Sequence, residues 1–467
     1  MFKVFSQYLP IKVFFLIITE NVLISCAVVV SSYLRYYTDP FMADELIHQP
    51  FFFSETFLIV ALCQLCFYYN DLYDLTTVCR RSELLIRLVQ ALGGWCLLMA
   101  LGKILFPNML FGGTIMTVTA TLALPAILAW REAVSRMSFF FRNRERVLIL
   151  GTGQVGIDLC RRLLKRDDLN FEIVGFLAED PQRVGERLVN PSVIGTIEEL
   201  ASIAGSERIN RVVVSLPDRR GRMPVRELLK LRLQGVVIED AHTLMESVAG
   251  RISLDSVRPS WLIFSDGFRK FRWQLFLKRC FDLALASVGI VLSLPIMALV
   301  AIAIKLDSKG PILFRQERVG QFGRIFTLLK FRSMKTEAES DGVPIWATHN
   351  DDRVTRVGRV LRSARLDELP QLFNILWGDM SLVGPRPERP YFVERLEKNL
   401  KYYPERHVVK PGLTGWAQIQ FAYASTEDES REKLEYDFFY IKNASVLFDL
   451  AILFQTVKTV LFGEGAR

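Results

Sequence analysis

Five long apolar segments limit what this chain can fold into. Four lie in the first 130 residues, at roughly 11–33, 51–69, 85–106 and 113–130, and the fifth runs from 281 to 304. A helix needs ~20 apolar residues to cross the hydrocarbon core of a bilayer, and each segment approaches or exceeds that length. With an apolar fraction of 51% and a mean hydropathy of +0.24, the chain is predicted to be a membrane protein.

The distribution of lysine and arginine orients the first four segments. Basic residues precede the first segment, separate the second from the third, and follow the fourth. They are Lys3, Lys12, Arg80, Arg81, Arg87, Arg131, Arg136, Arg142, Arg144 and Arg146. Because cytoplasmic loops carry an excess of these residues, 1–140 is predicted to be a four-helix transmembrane bundle with both ends in the cytoplasm. No small-residue cleavage site follows the first segment, so we expect an anchor and not a removed signal peptide.

A few side chains in the bundle have more than one interpretation. Glu20 and Asn21 lie within the first segment, where an ionisable residue is a candidate functional site, although hydrogen bonding between helices is the favoured interpretation. Cys63 and Cys66 form a C-x-x-C pair, but their apolar surroundings favour packed or lipid-facing thiols over a redox or metal site. The other cysteines, including Cys79, are scattered, which argues against a disulfide scaffold and against thiolate catalysis.

The fifth apolar segment, 281–304, differs from the others because it contains Pro295. Proline removes a backbone hydrogen bond and kinks a helix. Here it divides the segment into arms of about 14 and 10 residues, each too short to cross a core of ~30 Å. Lys278 and Arg279 precede the segment and Lys305 follows it. Basic residues at both ends predict a re-entrant hairpin that enters and leaves the bilayer by the cytoplasmic face.

A glycine-rich turn follows the bundle. The sequence RVLILGTGQVGIDLCRRLLK begins at Arg146 as an apolar strand, passes Gly151, Gly153 and Gly156, and continues as an amphipathic helix. In a dinucleotide-type turn the glycines let backbone amides and a helix N-terminus approach a pyrophosphate. These glycines are therefore candidates for binding a nucleotide cofactor. Tight packing between strand and helix is the structural alternative.

Apolar strands alternate with helical runs across residues 145–265. The strands lie near 147–150, 172–177, 211–216 and 235–240. This alternation predicts a small parallel α/β domain of the Rossmann-like type, in which Glu179 and Asp180 follow the second strand at a suitable distance for a ribose contact. No tyrosine occurs between 147 and 265. The Tyr-x-x-x-Lys acid–base pair of a nucleotide-sugar dehydratase is therefore not expected in this domain.

Residues 275–467 contain three motifs rich in charge and glycine. They read FRQERVGQFGRIFTLLKFRSM (314–334), RSARLDELPQLFNILWGDMSLVGPRPERP (362–390) and KPGLTGWAQ (410–418). The first motif contains cations suited to phosphate oxygens, since arginine forms bidentate pairs and lysine a point charge. These cations are Arg315, Arg318, Lys330 and Arg332. Each one alone is more commonly a solvated surface charge, but their recurrence beside glycines favours a phosphorylated substrate.

The adjacent acids Asp367 and Glu368 suit phosphoryl transfer within this basic surround. One carboxylate can attack phosphorus and hold a phosphosugar as an acyl phosphate. Its neighbour can bind a Mg²⁺ ion that also binds the diphosphate. The dipeptide alone also fits a structural alternative, a helix-capping aspartate beside a solvated glutamate.

The block LDELPQLFNILWGDMSLVGPRPE, with KFRSM before it and GLTGWAQ after it, resembles the bacterial sugar transferase family. The family consists of polyprenyl-phosphate hexose-1-phosphate transferases. Its long form has four membrane spans, a Rossmann-like domain, a re-entrant helix and a mostly α-helical catalytic domain, which matches the organisation predicted for this chain. The resemblance implies that Asp367 is the nucleophile and that Glu368 is the magnesium ligand.

The resemblance also implies a nucleotide-sugar site. Lys330, Arg332 and the turn Pro385-Arg386-Pro387 would line it, and we place Arg318 and Gln418 in the same substrate site. At the break in the membrane helix the family often has Ser-Pro. In this chain Leu294 precedes Pro295 and Ser293 lies one residue earlier, so the role of that hydroxyl is left open.

The sequence therefore predicts a phosphoglycosyl transferase that moves a hexose 1-phosphate from a UDP-hexose to undecaprenyl phosphate and releases UMP. This is the initiating step of exopolysaccharide, capsule or O-antigen synthesis in that family. The expected setting is the bacterial inner membrane, with Mg²⁺ as cofactor, a cytoplasmic catalytic domain and direct contact with the bilayer. A homodimer is left open, and nucleic acid is not expected despite the net charge of +8.

Three other functions compete with this one. The first is a membrane-bound nucleotide-sugar dehydratase or epimerase, which would share the bundle and the α/β domain. The second is a regulatory subunit of a cation channel, and the third is a scaffold of a polysaccharide export complex. The missing tyrosine argues against the first. We find no filter-like segment, and a channel subunit would leave residues 310–467 unexplained, which argues against the second. The acid pair with its flanking cationic motifs argues against the third.

Overall fold

The structure is a computed structural model of the chain. It describes residues 2–4, 7–9, 11–35, 49–74, 81–107, 113–136, 144–166, 169–216, 223–254, 267–268, 270–335, 353–421 and 426–461. The chain forms two compact units. One comprises Met1–Val4 and Tyr8–Met245, and the other Phe5–Gln7 and Glu246–Arg467. The domain boundaries predicted at 1–140, 145–265 and 275–467 stay predictions.

The chain begins with two short paired strands, β1 (Phe2–Val4) and β2 (Gln7–Leu9), and four long apolar helices follow them. The helices are α1 (Ile11–Arg35), α2 (Phe52–Tyr69), α3 (Arg81–Leu105) and α4 (Gly113–Arg136). Each coincides with one of the four predicted apolar segments, and each is long and apolar enough to cross a membrane. Cys79, Arg80 and Arg142 lie outside the described residues.

A buried ion pair joins the helices of the bundle. Glu20 of α1 is fully buried and accepts hydrogen bonds from Arg131 Nε of α4 at 2.6 Å and from the Tyr73 hydroxyl at 2.7 Å. Glu20 therefore bonds between elements of the bundle, as the favoured interpretation predicts. Cys63 and Cys66 are buried in the apolar core of the bundle, as packed thiols.

A parallel β-sheet with flanking helices follows the four apolar helices along the chain. Its strands are β3 (Glu145–Leu150), β4 (Phe171–Ala178), β5 (Val193–Thr196), β6 (Arg211–Val214) and β7 (Val237–Asp240). They are ordered β5-β4-β3-β6-β7, and every pair is parallel. The helices of this region are α5 (Gln154–Lys165), α6 (Leu200–Ser206), α7 (Val225–Leu233) and α8 (Ala241–Ala249).

The sheet confirms the predicted Rossmann-like α/β class and adds one strand. Strand β5, whose four residues include Gly195, was not predicted from the sequence. Four strands predicted near 147–150, 172–177, 211–216 and 235–240 correspond to β3, β4, β6 and β7. The membrane-protein class with a Rossmann-like domain therefore holds for the described residues.

The fifth apolar helix, α9 (Arg272–Asp307), lies in the second unit. The prediction of two separate arms is wrong, because α9 is one continuous helix that passes through Pro295 and extends beyond 281–304 at both ends. Proline removes a single backbone bond, and the bonds on either side of it can sustain the helix. Whether both ends of α9 lie on one side of a membrane stays a prediction.

The remainder of the second unit is mostly α-helical, as predicted. A hairpin of β8 (Leu313–Val319) and β9 (Ile325–Phe331) comes first. Short strands β10 (Ser381–Val383) and β11 (Gly412–Thr414) pair in parallel. The helices are α10 (Arg356–Ser363), α11 (Gln371–Trp377), α12 (Pro390–Asn399), α13 (Trp416–Gln420), α14 (Glu427–Asn443) and α15 (Val446–Leu461).

Both ends of α9 are attached to this helical unit. Near the start of α9, Arg279 donates hydrogen bonds to the carbonyls of Ile375 at 2.6 Å and Leu376 at 2.9 Å, at the C-terminal end of α11. At the far end of α9, the Asp307 carboxylate accepts a hydrogen bond from the Val357 amide at 3.3 Å. Helix α9 is therefore held to the same unit near both of its ends.

Candidate active site

A sharp turn presents the two adjacent acids. Arg365 has a left-handed backbone conformation with φ of 56°, and it ends the helical run of α10. A single 3₁₀ turn, Leu366–Glu368, follows, and Pro370 then leads into α11. Neighbouring residues in a 3₁₀ helix project about 120° apart. Asp367 and Glu368 can therefore take different partners, and the structure shows that they do.

Asp367 is a buried carboxylate, only 8% exposed. Among the residues that the structure describes, none donates a hydrogen bond to it or forms an ion pair with it. Burial raises the pKa of Asp367, while the positive charge of Lys330 opposes that rise and the charge of Glu368 adds to it. The oxygens of Asp367 thus keep their lone pairs available in a surround that contains several cations.

Glu368 is held by two cations at one oxygen. Its Oε1 accepts a hydrogen bond from Lys330 Nζ at 3.0 Å and another from Arg386 Nη2 at 3.1 Å. Burial alone would raise the pKa of Glu368, but Lys330 and Arg386 outweigh burial and hold it well below its usual value. Glu368 is therefore ionised at neutral pH, and it links the first motif to the Pro-Arg-Pro turn.

A buried asparagine fixes the position of Lys330. Asn374 of α11 is fully buried, accepts a hydrogen bond from the Leu329 amide at 3.0 Å and donates one to the Thr327 carbonyl at 2.8 Å. Both contacts go to the backbone of β9, the strand that carries Lys330. Sequence reasoning missed Asn374, although a polar residue between the apolar Leu372 and Ile375 is the kind of signal that could have found it.

The turn Pro385-Arg386-Pro387 brings Arg386 to Glu368 and to Gln418. Arg386 Nη1 donates to Gln418 Oε1 at 3.3 Å, so the third motif joins the same cluster. Close backbone packing supports the turn, since a Cβ atom on Gly412 would lie 2.1 Å from the Gly384 nitrogen. The predicted site residues Lys330, Glu368, Arg386 and Gln418 are thus gathered in one place.

Two predicted substrate cations are directed elsewhere. Arg318 binds the Gln316 side chain and donates to the Pro387 carbonyl at 2.9 Å, and burial lowers its pKa to about 10. Arg332 donates to the carbonyls of Lys309 at 3.0 Å and Ser308 at 2.8 Å, just past the end of α9. Arg318 supports the turn, and Arg332 joins β9 to the chain that follows the membrane helix.

The residues present suit a magnesium ion that binds together with a diphosphate. Mg²⁺ is usually held by one or two carboxylates and by substrate phosphates, with water in the remaining positions. Glu368 Oε1 takes both cations, and no described residue donates to its Oε2. The described residues contain no group of three or more acidic, histidine or cysteine ligands. Glu368 Oε2 therefore fits a metal that is shared with the substrate, and not a site made by the protein alone.

Close packing explains why two positions of the glycine-rich turn in the α/β domain are glycine. Gly151 has φ of +104°, and a Cβ there would lie 2.8 Å from the Ser215 carbonyl oxygen. A Cβ on Gly156 would lie 2.6 Å from the Ser215 hydroxyl. Gly153 is the N-cap of α5, and Arg183 donates a hydrogen bond to the Thr152 hydroxyl at 2.5 Å. The packing alternative thus explains Gly151 and Gly156, and cofactor binding stays a prediction.

Comparisons with known proteins match both halves of the chain. The bacterial sugar transferase family matches residues 273–463, and a CoA-binding domain family matches residues 69–238. The UDP-glucose:undecaprenyl-phosphate glucose-1-phosphate transferase of Klebsiella pneumoniae is 32% identical over 434 residues, which are 89% of this chain and 91% of that protein. A protein of the same name from Escherichia coli K12 is 35% identical over 68% of this chain and 67% of its own length.

A third relative transfers a different sugar according to its name. The UDP-N-acetylgalactosamine-undecaprenyl-phosphate N-acetylgalactosaminephosphotransferase of Aeromonas hydrophila is 41% identical over 56% of this chain, and the match spans 62% of its length. Together with the acid–cation site, these matches define the class of the protein as an enzyme, a phosphoglycosyl transferase. The chain belongs to the polyprenyl-phosphate sugar-phosphate transferase family, as the sequence motifs indicated.

Proposed function

We propose that this protein transfers a hexose 1-phosphate from a UDP-hexose to undecaprenyl phosphate and releases UMP. The names of the Klebsiella and Escherichia relatives describe this reaction with glucose, and the name of the Aeromonas relative describes it with N-acetylgalactosamine. In this proposal the reaction is the initiating step of exopolysaccharide, capsule or O-antigen synthesis.

Asp367 is the nucleophile in this proposal. The observation that carries it is the buried carboxylate of Asp367 without a hydrogen bond or ion pair from any described residue. An oxygen of Asp367 attacks the phosphorus that bears the sugar, and the bond from that phosphorus to the bridging oxygen breaks, so that UMP leaves with that oxygen. The sugar phosphate is then held as an acyl phosphate.

The acceptor completes the reaction at the same phosphorus. A phosphate oxygen of undecaprenyl phosphate attacks, the bond between phosphorus and Asp367 breaks, and the carboxylate is regenerated. One phosphoanhydride is broken and one is made over the two steps, and the anionic acceptor needs no strong general base. Phosphoryl transfer depends mainly on positioning and on neutralising charge, which Lys330 and Arg386 are placed to do.

Glu368 would hold a Mg²⁺ ion through its Oε2, and the ion would neutralise charge on the diphosphate. The protein's own part is to present that oxygen on a fixed turn, because Lys330 and Arg386 secure Oε1 at 3.0 Å and 3.1 Å. Pro385 and Pro387 restrict the backbone on either side of Arg386. Gln418 fixes the orientation of the Arg386 guanidinium from the other side.

The proposed setting is the bacterial inner membrane, with α1 to α4 as spans and α9 as a re-entrant helix. The attachment of both ends of α9 to one compact unit supports this topology, because Arg279 contacts Ile375 while Asp307 contacts Val357. A helix that crossed the bilayer fully would place its two ends on opposite sides. The catalytic unit would then face the cytoplasm, where nucleotide sugars are made.

A UMP-release assay tests the proposal. Purified protein in nanodiscs is given undecaprenyl phosphate, Mg²⁺ and each of a panel of UDP-sugars, and UMP and the lipid product are both measured. We expect at least one UDP-hexose to give UMP and lipid-linked sugar diphosphate in equal amounts. Release of UDP in place of UMP would contradict the proposal, because it means that the bond between sugar and phosphate is cleaved. An altered nucleotide sugar without lipid product would contradict it too and would favour the dehydratase or epimerase alternative.

A further inference from the structure

Four consecutive carbonyl groups of the turn that carries Arg386 are each held by a separate donor. The Pro385 carbonyl accepts from the Gly412 amide at 2.9 Å, and the Glu388 carbonyl accepts from the Val319 amide at 3.0 Å. The Pro387 carbonyl accepts from Arg318, as described above. The fourth carbonyl, that of Arg386 itself, is held by Arg406, which is not part of any motif that the sequence singled out.

Arg406 is one of the most buried charges in the second unit, with 3% of its surface exposed. Its Nη2 donates to the Arg386 carbonyl at 3.2 Å and to Asp437 Oδ2 at 2.7 Å, and its Nη1 donates to the Tyr403 hydroxyl at 2.6 Å. Asp437 belongs to α14 and is 1% exposed. Both members of the pair are therefore almost completely buried.

A buried ion pair is a costly way to hold a protein together. Burying two charges costs about as much free energy as their attraction returns, so such a pair is weak evidence for a role in stability. When such a pair also donates a hydrogen bond to a main-chain carbonyl, it can hold that part of the backbone in place, even where it adds little to stability. Here the fixed position is the backbone of Arg386, whose side chain must reach both Glu368 and Gln418.

We infer that Arg406, oriented by Asp437, is a positioning residue for the transferase reaction, acting through the backbone of Arg386. This inference rests on the proposed function, because the role that it assigns to Arg406 is a role in the transferase reaction. Arg406 itself is assigned no contact with substrate. If Arg406 shifts, the Arg386 side chain is no longer correctly placed to contact Glu368 and the diphosphate of the nucleotide sugar. The effect should therefore fall mainly on the binding and reaction of the donor.

A double-mutant cycle between Asp437 and Arg386 tests the inference. Asp437→Asn keeps the shape of the side chain but removes the charge that orients Arg406, and Arg386→Lys removes the group being positioned. We expect Asp437→Asn to lower kcat/KM for the UDP-hexose roughly tenfold, mainly through a higher KM. In the Arg386→Lys background the same change should lower kcat/KM by less than about twofold, because the two residues act through one group.

Glu435→Gln is the matched control, because Glu435 is a buried acid on the same helix. It accepts from the Leu254 amide at 3.0 Å and pairs with Arg251 at 3.5 Å, away from the turn. Its loss should leave the KM for the UDP-hexose unchanged in both backgrounds. Arg406→Lys is the second variant, and we expect a loss of the same kind as for Asp437→Asn. Thermal unfolding of each variant in nanodiscs verifies that the protein is folded.

The outcomes separate the inference from the proposed function. If Asp437→Asn lowers kcat/KM by the same factor in both backgrounds, or if Glu435→Gln acts in the same way, Arg406 is structural and the inference is overturned. If Asp437→Asn is misfolded, the cycle with Arg406→Lys decides by the same criterion. If the unaltered protein releases no UMP, the proposed function itself fails. If it releases UMP but Arg386→Lys has no effect on the donor, the inference is overturned and the proposed function stands.

Discussion

At the scale of single residues, the two adjacent acids, Asp367 and Glu368, differ in the partners that they contact. Asp367 has no described partner, whereas Glu368 has two cations at one oxygen, and the 3₁₀ turn explains how neighbours can differ so much. Burial raises the pKa of Asp367 and the cations lower that of Glu368. The same turn thus supplies one carboxylate with free lone pairs and one that stays ionised and fixed.

Glu368→Gln should reduce turnover by roughly 10²-fold or more, as when a key electrostatic group is removed from an active site. The amide keeps the shape, but it loses the negative charge that anchors Lys330 and Arg386 and that we propose binds Mg²⁺. UMP release measured against magnesium concentration should show a raised requirement for the metal. Glu397→Gln, an exposed acid on α12, is the control and should behave like the unaltered protein. An unchanged magnesium dependence in Glu368→Gln would leave Glu368 with a structural role only.

Residue types and motifs predicted which residues form the site better than they predicted how those residues contact one another. The acids and the residues Lys330, Arg386 and Gln418 were all selected from the sequence, and the structure brings Lys330, Arg386, Glu368 and Gln418 together. Asn374 and Arg406 were missed because each hydrogen-bonds to backbone groups of residues that are far from it in the sequence. A sequence shows that Arg406 is charged, but its burial against Asp437 depends on how α14 packs.

At the scale of elements, hydropathy predicted the long helices closely and failed at one detail. The four segments of the first unit coincide with α1 to α4, because each is a separate apolar run bounded by polar residues. The fifth was predicted to break at Pro295, yet α9 continues through it. A proline removes only one backbone hydrogen bond from a helix. The contacts between α9 and α11 could not be seen in the sequence.

The topology of α9 can be measured by cysteine labelling in a background without native cysteines. Arg272→Cys and Lys309→Cys place exposed probes at the two ends of the helix, and Gln49→Cys marks the connection between α1 and α2. With a membrane-impermeant maleimide, we expect both α9 probes to react only when the cytoplasmic face is open. The probe at 49 should react only from the opposite face. Labelling of position 309 from the same face as position 49 would show that α9 crosses the membrane.

At the scale of the whole molecule, the membrane helices, the parallel sheet and the helical catalytic unit follow one another along the chain in the predicted order. The matches to family members cover both halves, with 89% of this chain aligned to the Klebsiella protein. The sheet was predictable because strands and helices alternate from 145 onward. Whether the sheet binds a ligand could not be predicted in the same way, because packing against Ser215 is enough to explain Gly151 and Gly156.

The whole account depends on the free carboxylate of Asp367, so the most direct measurement is intact-mass analysis of the protein with donor alone. We expect the unaltered protein, given the UDP-hexose that it turns over and Mg²⁺ but no undecaprenyl phosphate, to gain the mass of one hexose phosphate. The adduct should map to the peptide that contains Asp367, disappear on addition of undecaprenyl phosphate, and be absent from Asp367→Asn. Steady UMP release by Asp367→Asn, or an adduct that persists in that variant, would contradict the account.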